Sequence, residues 1–165
     1  MKTIVIYYSL DGNTQYLAES IAECVGADVL RLMPIKDIKN NKMKYFFGGK
    51  QATMRAKPEL KPFNLEPEAY DMIIIGTPVW AFTMTPAVRS FLNKVKLKDK
   101  KIGLLICHRG GIGKTITHMK ELLEGNEILG ITKFHEPIKG EQDKNEQICS
   151  WVQSLINKAQ LNFSE

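Results

Sequence analysis

The sequence predicts a doubly wound α/β fold, a five-stranded parallel sheet with helices on both faces. Three observations predict it. Short β-branched and aromatic runs lack the polar alternation of a half-exposed strand, so they read as strands buried on both faces. Each run ends in a polar or glycine-rich exit that leads into apolar residues at helical spacing. The alternation recurs along the chain, and right-handed crossovers then leave little choice but parallel neighbours.

The first run, "TIVIYY" (3–8), is followed by Leu17, Ala18, Ile21, Ala22 and Val25, one stripe of a helix that stops at Gly26. "ADVLRLM" (27–33) reads as a second strand ended by Pro34. "YDMIIIG" (70–76) and "KIGLLIC" (101–107) repeat the continuous apolar signature. Val88, Phe91, Leu92 and Val95 mark the helix after the former, and Ile116, Met119, Leu122 and Leu123 the helix after the latter. "ILGITKF" (128–134) is a fifth, weaker strand, and Ile148, Val152, Leu155 and Ile156 give a closing helix. Residues 34–69 are too long for a plain crossover. They predict a helix near 36–47 and then an extended return punctuated by Pro58, Pro62 and Pro67. Within this insertion, "YFFGGKQA" (45–52) suits either a mobile flap or, preferred, a helix end stopped by glycine and packed on the sheet.

One domain of 165 residues is long enough to bury a sizeable core. No stretch reaches the ~20 apolar residues of a membrane span, and the strand pattern begins within three residues of the start, without a signal-peptide pattern. A cytoplasmic protein is expected. Cys24, Cys107 and Cys149 are odd in number and far apart, which predicts small buried apolar residues rather than a disulfide, zinc or dithiol centre. The three histidines have no metal-ligand spacing. The formal charge is +5, with lysines concentrated at 36–44 and 94–101, and no aromatics interleave them as a nucleic-acid surface would require. A solvated face is the favoured reading, and docking to an acidic protein, an anionic ligand or nucleic acid the minority one.

In an open parallel sheet, ligands bind beyond the carboxyl ends of the strands. Three exits should meet there: "SLDGNT", "TPVWAFTMT" and "HRGGIGKT". In the first, small residues let N–H groups converge, Gly12 permits positive φ, and Ser9, Asn13 and Thr14 add donors at a helix N-terminus. A phosphate monoester suits that chemistry; an Asp-Gly turn with a helix cap explains most of the same residues without a ligand. In the second, Trp80 sits in an expected loop, where it either walls a flat ring or caps the sheet end.

Taken together, the loops resemble the flavodoxin-like family, over most of the chain. Ser9, Asp11, Gly12, Asn13 and Thr14 match the family's Ser/Thr-x-Thr-Gly-x-Thr phosphate loop. Gly76, Thr77, Pro78, Val79 and Trp80 match its Gly-x-Pro-x-Trp segment, and His108, Arg109, Gly110, Gly111 and Gly113 fall in its second ring-flanking loop. The resemblance implies strand order 2-1-3-4-5, a non-covalent FMN, and electron transfer with a redox partner protein or with a small molecule such as a quinone, porphyrinogen or NAD(P)H. It implies no nucleic-acid partner and leaves oligomeric state open.

Departures from the family pattern carry further expectations. Asp11 replaces a threonine, and a carboxylate about 5 Å from the phosphate would cost roughly 3 kcal/mol per unit charge. Its side chain must therefore point away while its N–H serves the loop. The basic charge differs from that of acidic electron carriers. Ala81 and Phe82 follow Trp80 where many members have glycine, which predicts that positive φ is hard to reach and that the flavin prefers two-electron chemistry. Arg109 and Lys114 would place positive charge beside the ring and favour its anionic reduced form. A rival reading comes from "RGGIGKT" (109–115), which resembles a deviant P-loop of ATPases but follows the wrong strand.

Overall fold

A computed structural model describes residues 1–38, 44–138 and 144–161. Its strands are β1 (Thr3–Tyr7), β2 (Asp28–Arg31), β3 (Met72–Trp80), β4 (Thr83–Met84), β5 (Lys101–His108) and β6 (Glu127–His135). Its α-helices are α1 (Asn13–Val25), α2 (Lys44–Thr53), α3 (Pro86–Lys94), α4 (Thr115–Leu122) and α5 (Asn145–Leu161). The main strands run parallel in the order β2-β1-β3-β5-β6, the expected 2-1-3-4-5 arrangement, and β4 adds an antiparallel hairpin to β3.

The unbroken apolar runs are buried from both sides. Ile4, Ile6, Ile73, Ile75, Leu104 and Ile106 face Val88 and Phe91 of α3 and Met119 of α4. Val5, Ile74 and Leu105 face Leu17 and Ile21 of α1 and Val152 and Leu155 of α5. The glycines inside β5 and β6 are explained by the second layer. Gly103 and Gly130 are ladder partners, and a Cβ on either would lie 2.7 or 2.6 Å from a methyl of Leu155. They form a slot that lets α5 settle on the sheet.

Several expectations are corrected. Residues 77–80, expected as loop, continue β3: Pro78 pairs with Cys107 of β5, while Val79 and Trp80 pair with Met84 and Thr83. The Gly76 carbonyl accepts from Tyr8 N–H, so strand alternation points the Pro78 nitrogen toward the side where β1 has already ended. Proline's missing N–H therefore costs no ladder bond.

The helix expected near 36–47 begins later. Residues 36–38 are irregular, 39–43 lie outside the described residues, and α2 runs through both glycines to Thr53. Gly48 is not a stop. A Cβ there would lie 2.9 Å from Trp80 Cε3, so the glycine lets the helix lie against the indole. The return segment is extended as expected, with Leu60 bridged antiparallel to Pro34 and the Pro58 carbonyl accepting from Ser90 Oγ at 2.7 Å.

Cys24 and Cys149, expected to be unlinked and buried, form a disulfide joining α1 to α5 across 125 residues, with Cα atoms 5.7 Å apart. Cys107 is buried and free, as expected. Among the described residues no helix is long and apolar enough to cross a membrane.

Candidate functional site

The parallel sheet brings the exits of β1, β3 and β5 to one edge, where they enclose a cleft of about 290 Å³. Its walls include Ser9, Asp11, Asn13 and Thr14 from the first exit, Pro78, Val79 and Trp80 from the second, and His108, Arg109, Gly110 and Gly111 from the third. Gly12, Thr77 and Gly113, also expected at the site, do not line it.

At the first exit, Gly12 takes φ +86° at the N-cap of α1, a conformation costly for any residue with a Cβ. Its N–H donates to Ser9 Oγ at 3.1 Å, which curls the loop over the helix terminus. Thr14 is fully buried in the first turn; its Oγ1 has no oxygen or nitrogen partner and lies beside the Cys107 thiol, a weak one. A buried hydroxyl left unpaired costs about 1–3 kcal/mol, so an acceptor brought into the cleft would recover that loss. The chemistry of the loop fits a phosphate group: a helix N-terminus, a short run of amide N–H groups, and an orphaned hydroxyl at the floor. Asp11 is exposed at the rim of the loop and lines the cleft.

Trp80 forms the second wall. Its ring meets Tyr8 edge-on, with centroids 5.5 Å apart and planes at 89°, and Gly48 backs it. Tyr8 donates to Asp37 Oδ1 at 2.8 Å; burial first and that bond second push its ionisation far above the usual range. It is a fixed neutral support for the indole. Beyond Trp80 the hairpin turns through Ala81 at φ +46° and Phe82 at φ +61°. The expectation that positive φ is hard to reach here is overturned. The turn is held from outside, since Lys114 N–H donates to the Phe82 carbonyl at 2.8 Å. Gly113 makes that approach sterically feasible, because a Cβ there would fall 2.3 Å from Phe82 Cβ.

The third exit is stapled to the end of β6. His135 Nε2 donates to the Arg109 carbonyl at 2.8 Å, the His108 carbonyl accepts from Glu136 N–H at 3.1 Å, and His108 Nδ1 donates to the Gly110 carbonyl. Arg109 is not the bare cation expected: its Nε pairs with Glu136 Oε1 at 2.7 Å, so much of its charge is balanced before it reaches the cleft. Under the loop, Cys107 is buried and its thiol is pushed up to about 12, mainly by burial, which keeps it protonated.

Thr77 is structural in this arrangement. It is fully buried, donates to the Pro78 carbonyl at 2.9 Å, and accepts from Thr85 N–H at 3.2 Å at the start of α3. Sequence reasoning missed Arg31, whose Nη2 donates to the Ser9 carbonyl at 3.1 Å and whose Nη1 donates to Gln15 Oε1 at 2.9 Å. The sheet order held the signal, because the end of β2 must lie beside the end of β1. Gly49, Glu136 and Pro137 also line the cleft and were not foreseen.

A family model described as Flavodoxin matches residues 2–155. The chain belongs to the flavodoxin family. Among solved structures, this flavodoxin resembles a flavoprotein from Lactobacillus acidophilus NCFM in complex with FMN, at 23% identity and TM-score 0.69, over 80% of this chain and 92% of that one. It also resembles a flavoprotein from Bacteroides uniformis, at 18% identity and TM-score 0.78, over 92% and 97%. A third is oxidised Flavodoxin 2 from Bacillus cereus, at 18% identity and TM-score 0.64, over 96% and 99%. At these identities the likeness speaks for the fold. The P-loop reading finds no support in this flavodoxin: its loop follows β5 rather than β1, and neither Lys114 nor Thr115 lines the cleft.

Proposed function

We propose that this flavodoxin holds one FMN non-covalently in the cleft and, as a single cytoplasmic domain, carries electrons between that flavin and a separate redox partner protein. The observation that carries the reading is Thr14 Oγ1, buried at the N-terminus of α1 with only the Cys107 thiol beside it, in a cleft walled by an indole. Family membership makes the chain an FMN-binding redox protein; the assignment of residues is argued from the site.

Ser9, Asn13, Thr14 and the amide N–H groups of the loop would hold the phosphate. Asp11 would serve only through its backbone, with its carboxylate kept away from the dianion. Trp80 would wall one side of the ring, and His108 to Gly111 the other. Gly110 and Gly111 are exposed, and nothing in the chain lies within 4 Å of a Cβ built on either, so packing does not explain them. A ring laid close to that backbone does. Bound there, FMN supplies the redox chemistry, and the protein supplies position and electrostatics.

A carrier is favoured over a self-contained small-molecule reductase because, away from Asp11 at the phosphate loop, the cleft's titratable side chains are not poised for proton transfer. Cys107 is held protonated by burial, Glu136 is paired with Arg109, and the His108 ring is tied to its own loop. Stopped-flow mixing of flavin-loaded protein with NADH and NADPH tests this. A carrier stays oxidised until a reductase is added; rapid direct bleaching would mark an oxidoreductase instead.

A further inference from the structure

Behind the β3–β4 hairpin lies a polar cluster that does not line the flavin cleft. Arg89 of α3 is only 5% exposed. Its Nη2 donates to Thr83 Oγ1 at 3.1 Å, and its Nε is buried without a partner. Thr83 Oγ1 is also bonded to His118 Nδ1 of α4 at 2.8 Å. No carboxylate pairs with Arg89 among the described residues. A guanidinium taken out of water is normally matched by an anion that satisfies its fork of donors.

The surrounding charges do not supply that anion. Arg55, just beyond α2, acts on both Arg89 and His118, and Lys114 acts on His118; Glu121 is the acidic side chain that acts on the two. Burial first, and Arg55 next, hold both groups below their usual ionisation range. His118 is half-buried and Arg55 exposed, so the cluster has an approach from solvent. α3 and α4 therefore bring together a guanidinium with an unpaired Nε and an imidazole, linked by one hydroxyl, and Arg55, just beyond α2, adds charge nearby.

We propose that Arg89 and His118, with the charge of Arg55 nearby, form a binding site for the oxyanion group, carboxylate or phosphate, of a small anionic metabolite. The site is distinct from the phosphate loop at α1 and does not depend on the FMN reading. The planar fork of Arg89 suits an oxyanion's paired oxygens, and His118 protonates as the anion arrives, adding charge to the contact. Thr83 is the ladder partner of Trp80, so the site reports directly on the hairpin that walls the cleft.

The test follows the His118 imidazole by NMR through pH titrations of FMN-loaded protein, with the resonance assigned from His118→Asn. The probes are inorganic phosphate and succinate, in separate arms. Either anion should raise the His118 midpoint by about 1 pH unit, as an opposite charge within hydrogen-bonding range does. Response to phosphate alone would mark a phosphate ester as the natural ligand, and response to succinate alone a carboxylate. Arg55→Ala, at an exposed position that spares the fold, should weaken binding about tenfold, and Arg89→Lys should weaken it while keeping the charge. A His118 midpoint unmoved by both anions, or equal binding in the parent and both variants, would overturn the proposal. If the protein does not load FMN, the same titration on the folded apoprotein reads the site, because the signal is local to His118.

Discussion

Replacing Thr14 by valine should move stability and cofactor affinity in opposite directions. The threonine methyl packs toward Gly76, where a Cβ would lie 2.9 Å from Thr14 Cγ2, and valine keeps that methyl. What is lost is a hydroxyl that is fully buried with only the weakly accepting Cys107 thiol beside it. Leaving such a group unsatisfied costs about 1–3 kcal/mol, so Thr14→Val should stabilise the apoprotein by about 1 kcal/mol or more. With FMN bound, the same hydroxyl faces a charged acceptor, and a hydrogen bond of that kind contributes about 1.5–3 kcal/mol. The variant should therefore bind FMN about 10- to 150-fold more weakly. Urea unfolding of both apoproteins measures the first effect, and FMN fluorescence quenching the second. A variant that is less stable as apoprotein and unchanged in FMN affinity would refute the reasoning, since Thr14 would then be an ordinary helix-start residue.

Other positions make sharper or narrower demands. Gly48→Ala gains about 1 kcal/mol of helix propensity but sets a methyl 2.9–3.3 Å from three indole carbons; displacing Trp80 should weaken FMN binding about tenfold in the same quenching assay. His118 ionises below its usual range in the folded state, chiefly through burial, so the unfolded chain takes up its proton first. Folded stability should fall as pH drops below about 6.5, and His118→Asn should flatten that slope in urea midpoints measured across pH. Reducing the Cys24–Cys149 link, which spans 125 residues, should lower stability by up to about 5 kcal/mol on the chain-entropy account. Cys24→Ser should abolish the difference between midpoints with and without reductant.

What could be read from the sequence was whatever one segment's own pattern decides. The apolar runs at 3–8, 70–76 and 101–107 became central strands because a run without polar alternation has no face to give to water. Leu17, Ala18 and Ile21 became the buried stripe of α1 for the matching helical reason. The meeting of three exits followed from the topology those strands impose.

Contacts between distant segments were not legible. The glycines of "YFFGGKQA" look like a helix stop until Trp80, 32 residues beyond Gly48, is seen to occupy the space that Gly48's missing side chain leaves. Ala81 and Phe82 look unable to adopt positive φ until Lys114 N–H and the bare face of Gly113 hold them there. Arg109 reads as a free cation until Glu136, carried on another strand's exit, neutralises it. Cys24 and Cys149 are linked only because α1 and α5 cover the same face of the sheet. In each case tertiary packing overrode a local preference, and all but the disulfide lie at or beside the cleft.

The central claim is that the loop from Ser9 to Thr14 recognises a phosphate on a flavin. Comparing the dissociation constants of folded apoprotein for FMN and for riboflavin, which differ only in that group, tests it most directly. The account predicts that FMN binds at least about 100-fold more tightly, the equivalent of one or two charge-assisted hydrogen bonds. Equal affinity for the two, or no binding of either, would contradict it.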